Sequence, residues 1–181
     1  MNNIKFYIGF LMGIVILLFS AIHAEEGPTD REALRGIKRI GVQIGEIPST
    51  AKAVGIERKY FRRNIALKLR SKGITVVDKD ELESKREEIP YLLVTLLLSY
   101  SEPTYSYVVM LGLHEKVHLA RDPQMTSNAM PWWRIMKGDH SGKGGLLEEI
   151  DKTVVQLIEE FCKDYLAVNS PMTPTQSGSN Q

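Results

Sequence analysis

From Tyr105 to Leu119, apolar residues fall on every second position: Tyr105, Tyr107, Val109, Leu111, Leu113, Val117 and Leu119, with Glu115 the one charged member of the series. Successive side chains of a strand point to opposite faces, so this pattern describes a long strand with one face on a core. A helix would scatter the same residues around its circumference. The rest of the chain must therefore fit a sheet that contains this strand. The apolar run before it, residues 91–100, ends at Glu102-Pro103-Thr104, a turn signal. The two runs are expected to pair as a hairpin.

Residues 37–44 read as a first strand, with Ile40, Val42 and Ile44 alternating. Residues 45–55 contain Pro48-Ser49-Thr50 and read as a loop. Residues 57–72 read as a helix, because Phe61, Ile65 and Leu69 recur every four positions. Gly73 is a helix stop, and Lys68, Arg70 and Lys72 suit the negative end of the helix dipole. Residues 74–77 read as a short strand, 78–89 as a charged stretch with a helical turn, 122–129 as a loop and 132–136 as a strand. Residues 146–168 read as the longest helix, with Leu147, Ile150, Val154, Ile158, Phe161 and Tyr165 stepping by three or four. Glu159 with Lys163, four apart, is an expected pair on that helix.

The expected fold class is therefore α/β (α+β), a two-layer sandwich. Its mixed sheet has about five strands and carries two main helices on one face. One run strains that picture. Leu92, Leu93, Val94, Leu96, Leu97 and Leu98 are apolar on both faces of their strand, whereas a strand with one wet face alternates. The second sheet face is thus expected to be covered by the linker, by a second subunit or by a partner.

The chain begins with one positive charge, Lys5, followed by 17 mostly apolar residues, 6–22, and the small-residue exit Ala21-Ile22-His23-Ala24. These are the three parts of a signal peptide, with the cut after Ala24. The alternative is an uncleaved inner-membrane anchor, since the apolar run reaches the lower limit for a span. The chain is expected to be exported, to the periplasm or beyond. Residues 25–33 read as a linker, 34–169 as one domain, and 170–181 as a disordered tail. The single cysteine, Cys162, cannot form an internal disulfide and sits in an apolar helical pattern as a small hydrophobe.

Two segments look catalytic. His114-Glu115-Lys116-Val117-His118 matches H-E-x-x-H, in which a helix sets both imidazoles on one zinc ion with Glu as base. Here the strand alternation runs through the motif. At about 3.3 Å per residue the two histidines would lie about 13 Å apart. The match is read as coincidental, with no metal and no catalytic residue; a zinc hydrolase through His114, Glu115 and His118 is the less favoured reading. Residues 138–145 are glycine-rich and hold Gly142-Lys143, but the spacing of a phosphate loop and its Ser or Thr are missing. Backbone N–H groups there, ahead of the last helix, are a candidate anion site.

Two further features point to binding. Residues 31–72 carry twelve Lys or Arg against three acidic residues. Arg58, Arg62 and Arg63 make the first long helix a candidate surface for anionic lipid or polymer or for an acidic protein; export argues against nucleic acid. Trp132 and Trp133 are adjacent and so face opposite sides of a strand, one in the core and one a candidate contact.

The layout of strand 37–44, the helix ending in "SKGITVVD", the hairpin at Pro103 and the closing "EEFCKDYLAVN" helix resembles the N-terminal domain of TolB and the CsgG-like and penicillin-binding-protein activator lipoproteins. The chain lacks the lipobox cysteine of those lipoproteins. The resemblance implies a binding or assembly role at the cell envelope without catalysis or cofactor, with an envelope protein or a second copy as partner. A small-ligand or anion-binding periplasmic protein is the alternative.

Overall fold

The computed structural model describes residues 29–169. The expected leader at 1–24, the first part of the expected linker and the tail from 170 lie outside the described residues. The elements are α1 (Thr29–Glu32), β1 (Gly41–Ile44), α2 (Ser49–Ala53), α3 (Arg58–Ser71), α4 (Lys79–Ser84), β2 (Tyr91–Ser101), β3 (Thr104–Leu119), β4 (Asp122–Ser141) and α5 (Leu146–Asn169).

The hairpin read from the alternation is present. β2 and β3 run antiparallel, with Leu92 opposite Leu113, Leu96 opposite Val109 and Ser101 opposite Thr104. β4 pairs antiparallel with β3, Leu111 facing Arg134 and Leu113 facing Trp132. β1 joins β2 in parallel, Val42 beside Leu92. The sheet order is β1-β2-β3-β4. The two-layer α/β arrangement is as expected, with four strands rather than five.

Two corrections account for the difference. Residues 74–77 give only one parallel bridge, Ile40 to Val76. Asp78 then accepts a hydrogen bond from the Glu81 backbone N–H and caps α4, so the chain leaves the sheet. The second correction concerns β4. The expected loop at 122–129, the strand at 132–136 and the first part of the glycine-rich stretch are one 20-residue strand. β3 stays extended to Leu119, and its free edge pairs with a segment of low strand propensity; tertiary pairing overrides local preference. Two shorter helices also form where none was expected, α1 in the linker and α2 in the loop around Thr50.

The core lies on one face. Val42 and Ile44, Leu92 to Leu98 in alternation, Val109, Leu111, Leu113 and Trp132 meet Phe61, Ile65 and Leu69 of α3 and Ile150, Val154, Leu157 and Phe161 of α5. Each such side chain contributes about 1.5–3 kcal/mol on full burial. The two helices are tied by Lys68, whose Nζ donates to Glu159 at 2.7 Å, so Glu159 pairs across helices rather than with Lys163. Asp164 is a buried carboxylate on this face of α5, whose other buried polar residue is Thr153. It accepts from Trp132 Nε1 at 3.0 Å, from Arg134 at 3.1 Å and from Arg31 Nε at 3.1 Å, joining β4, α1 and α5.

Candidate functional site

The face of the sheet opposite the helices is apolar and open. In β2, β3 and β4 the residues that point away from the core form rows across the strands. Leu93, Gly112 and Trp133 make one row; Thr95, Met110 and Ile135 the next; Leu97, Val108 and Lys137 a third. Leu97 is 60% exposed, Ile135 53% and Trp133 46%. Met130 folds over Gly112, where any β-carbon would meet its sulfur. At the β1 end the face is covered by α4, whose Leu82 lies against Gly41. Over the rows of β2, β3 and β4 no helix packs among the described residues. The adjacent tryptophans divide as expected, with Trp132 fully buried in the core and Trp133 on this face.

Beyond a register shift between Leu113 and Glu115, β3 and β4 continue as a two-stranded arm over residues 115–129. Most of its side chains are exposed, Met125 among them. Lys116 fastens its base by donating to Glu87 at 2.8 Å. A two-stranded ribbon without a core behind it is only marginally stable in water.

The basic residues gather elsewhere, at the β1 edge. A cleft of about 790 Å³ lies between α3 and α4, floored by Val42, Ile44 and Val76. Arg58, Arg62, Ala66 and Arg70 recur every four residues, and this stripe of α3 lines it, with Arg63 beside them. Arg62 Nε is buried without a hydrogen-bond partner. Arg70 donates to the Val76 carbonyl at 3.0 Å.

The H-E-x-x-H residues lie on β3, not on a helix. His114 stacks on Tyr91 at 5.3 Å, and its Nε2 is buried with no hydrogen-bond partner. Burial, and then the nearby Arg86 charge, hold its pKa below the ordinary histidine value. His118 Nδ1 lies 2.8 Å from the Pro123 carbonyl out on the arm. Burial pushes the Glu115 carboxyl up. The strand separates the two imidazoles by about 13 Å along its axis. Among the described residues no group of three or more His, Cys, Asp or Glu is placed to hold a metal.

The glycine-rich stretch also takes another form. Gly138 belongs to β4, where Tyr107 lies against it, and the Tyr107 hydroxyl reaches Thr153 Oγ1 at 3.1 Å. Only Gly142 and Gly145 adopt positive φ, 73° and 81°, in a tight connection to α5 beside exposed Lys143. That connection follows β4, at the opposite edge of the sheet from Arg58, Arg62 and Arg63. The candidate residues thus fall in three separate places. Cys162 is buried, and burial raises its thiol above the ordinary value, so it is a poor nucleophile.

Sequence reasoning missed Asp164 and the arm. Asp164 carried a usable signal: 157, 161, 164 and 168 share one helical face, so its position is a core position. The arm carried none, because residues 122–129 are polar and rich in turn formers.

No family model matches the chain. No match to a curated protein reaches significance. Among solved structures, the chain is similar to a PelC dodecamer from Paraburkholderia phytofirmans at 18% identity, over 75% of this chain and 88% of that one, with a TM-score of 0.38. It is similar to the hypothetical protein CT253 from Chlamydia trachomatis at 12% identity, over 71% and 93%, with a TM-score of 0.37. It is similar to the lipoprotein GNA1162 from Neisseria meningitidis at 13% identity, over 67% and 98%, with a TM-score of 0.31. At these scores the likeness carries no argument about function. No helix among the described residues is long and apolar enough to cross a membrane.

Proposed function

We propose that this is a non-enzymatic exported protein with a binding or assembly role at the cell envelope, acting by seating the open face of its sheet on a second copy of the chain. The observation that carries the reading is the exposure of Leu97, Trp133 and Ile135 in adjoining rows of one sheet face. Contiguous exposed apolar surface of this kind marks contact sites in soluble proteins. The arm supports the same reading, since a protruding ribbon gains stability when it packs on a neighbour. The strand placement of His114, Glu115 and His118 supports the absence of catalysis. The address rests on residues 1–24 of the sequence.

Sedimentation of the purified protein over a range of concentrations tests the assembly. A concentration-dependent mass above one chain is expected, and Leu97→Lys with Ile135→Lys returns the monomer with an unchanged circular dichroism spectrum. A wild-type chain that stays monomeric at its highest soluble concentration refutes the reading. Fusing residues 1–24 to a reporter active only after export tests the address separately.

A further inference from the structure

We infer that the cleft at the β1 edge is a docking site for an extended acidic segment of a partner protein, which adds to the sheet as a fifth strand. This surface is separate from the open face, and either can fail without the other.

The edge of β1 offers backbone hydrogen bonds. Gly41 N–H donates to the Pro90 carbonyl at 2.9 Å and Gly45 N–H to the Val94 carbonyl at 2.8 Å, both towards β2. Ile40 points the other way, its N–H donating to the Thr75 carbonyl and its carbonyl accepting from Val77 N–H, each at 3.0 Å. Parallel strands alternate in this sense, so Val42 and Ile44 direct their N–H and C=O groups away from β2, past the point where the chain turns off at Asp78. They line the cleft, and among the described residues no backbone or side-chain group outside the sheet bonds to them. Unpaired strand edges are templates for another strand.

The charge says which strand. Arg58, Lys59, Arg62 and Arg63 line the cleft and have no ion pair among the described residues. Two carboxylates also line it, and both are engaged: Asp78 caps α4, and Glu83 meets Lys79 at 3.4 Å. Arg62 Nε, buried and unpartnered, is a donor waiting for an acceptor. The spacing fits as well. Residues four apart on a helix rise about 6 Å. Alternate residues of a strand advance about 6.7 Å. Carboxylates on every second residue of an added strand therefore match Arg58 and Arg62 and, after the position opposite Ala66, Arg70. A lone phosphate would leave most of about 790 Å³ empty. A lipid surface would meet the rim, not the recessed strand edge.

The test is fluorescence anisotropy of the full-length protein with a labelled octapeptide alternating valine and glutamate. The same peptide N-methylated on alternate residues, inorganic phosphate, and phosphatidylglycerol vesicles are run beside it. Binding of the unmethylated peptide is expected, weakened about tenfold by Arg62→Glu and by Arg58→Glu and abolished by N-methylation. Hydrogen exchange at the Val42 and Ile44 amides is expected to slow when the peptide is bound. Equal binding of the methylated peptide, unchanged exchange at those amides, or Arg62-dependent binding of phosphate or vesicles in place of the peptide overturns the proposal. If Arg62→Glu fails to fold, hydrogen exchange on the wild-type chain decides by itself.

Discussion

Replacing Asp164 by alanine is expected to destabilise the domain by about 3 kcal/mol, within the range for breaking a buried pair. The figure follows from what each partner loses. Trp132 is fully buried and its Nε1 donates to Asp164 Oδ2. Left without an acceptor, that N–H costs about 1–3 kcal/mol. Arg31 is half exposed and regains water, so its lost bond counts for well under about 1 kcal/mol. Arg134 is more covered and sits over the Trp132 ring, but it keeps Asp30 and Glu160 nearby at 3.7 and 3.8 Å, which soften its loss. Asparagine keeps an acceptor for the indole, so Asp164→Asn is expected to cost about half as much. The indole bond is isolated by a cycle with Trp132→Phe. In that background Asp164→Ala should cost about 1–2 kcal/mol less, because no indole N–H is left stranded. Urea denaturation with a shared m-value reads all four proteins. Strict additivity in the cycle, or an Asp164→Ala loss below about 1 kcal/mol, would refute the reasoning.

Three shorter expectations accompany it. Because the His114 pKa is lowered by burial and by Arg86, the unfolded chain takes up a proton that the folded chain refuses. Stability is therefore full above the ordinary histidine value of 6.5 and is lost as pH falls from there towards the lowered one; urea midpoints between pH 7 and 5 should fall less steeply in His114→Gln, whereas Glu115, raised by burial, acts in the opposite sense from the ordinary carboxylate range upward. Gly138→Ala sets a methyl group against the Tyr107 hydroxyl end at 2.5 Å, and overpacking of this kind costs about 1–3 kcal/mol in the same assay; an unchanged midpoint would contradict it. Equilibrium dialysis should find no tight stoichiometric zinc and no effect of His114→Ala, and one zinc per chain lost in that variant would restore the hydrolase reading.

The layers, the hairpin and the long helices were legible because periodicity reports burial directly. Tyr107, Val109, Leu111 and Leu113 alternate into the core as the pattern requires, and Phe61, Ile65 and Leu69 form the inward stripe of α3. The reach of β4 was not legible, since Asp122, Thr126 and Ser127 are held by pairing with β3 and not by their own preferences. Residues 74–77 failed in the opposite way: they are β-branched but leave the sheet after one bridge because Asp78 starts a helix. Arg58, Arg62 and Arg63 were legible as one helix surface, but the cleft they wall was not. Arg58 and Arg62 share a face because they are four apart on α3, whereas the cleft exists because α4 turns back across the β1 edge, a long-range packing event that no local pattern encodes.

The magnitudes constrain how the open face can work. Full burial of a large apolar side chain contributes about 1.5–3 kcal/mol, so Leu97, Trp133 and Ile135, each about half exposed, contribute roughly 1 kcal/mol apiece. Doubled across a two-fold contact, they give about 6 kcal/mol, with smaller additions from half-buried Leu93, Val108 and Met110. Association itself costs about 4–15 kcal/mol before side-chain ordering. The face alone thus supports a weak dimer at best. A stable assembly needs the arm to contribute its own contact, and residues 115–129 extend beyond the core on β3 and β4, the second of which carries Trp133 and Ile135. Shortening the arm symmetrically, by removing 118–119 with 122 and 126 and keeping the turn, should therefore weaken self-association more than Trp133→Ala does, while leaving the core and its urea midpoint in place. Sedimentation of the two variants side by side separates the contributions, and an arm deletion that assembles like the wild type would place the whole contact on the face.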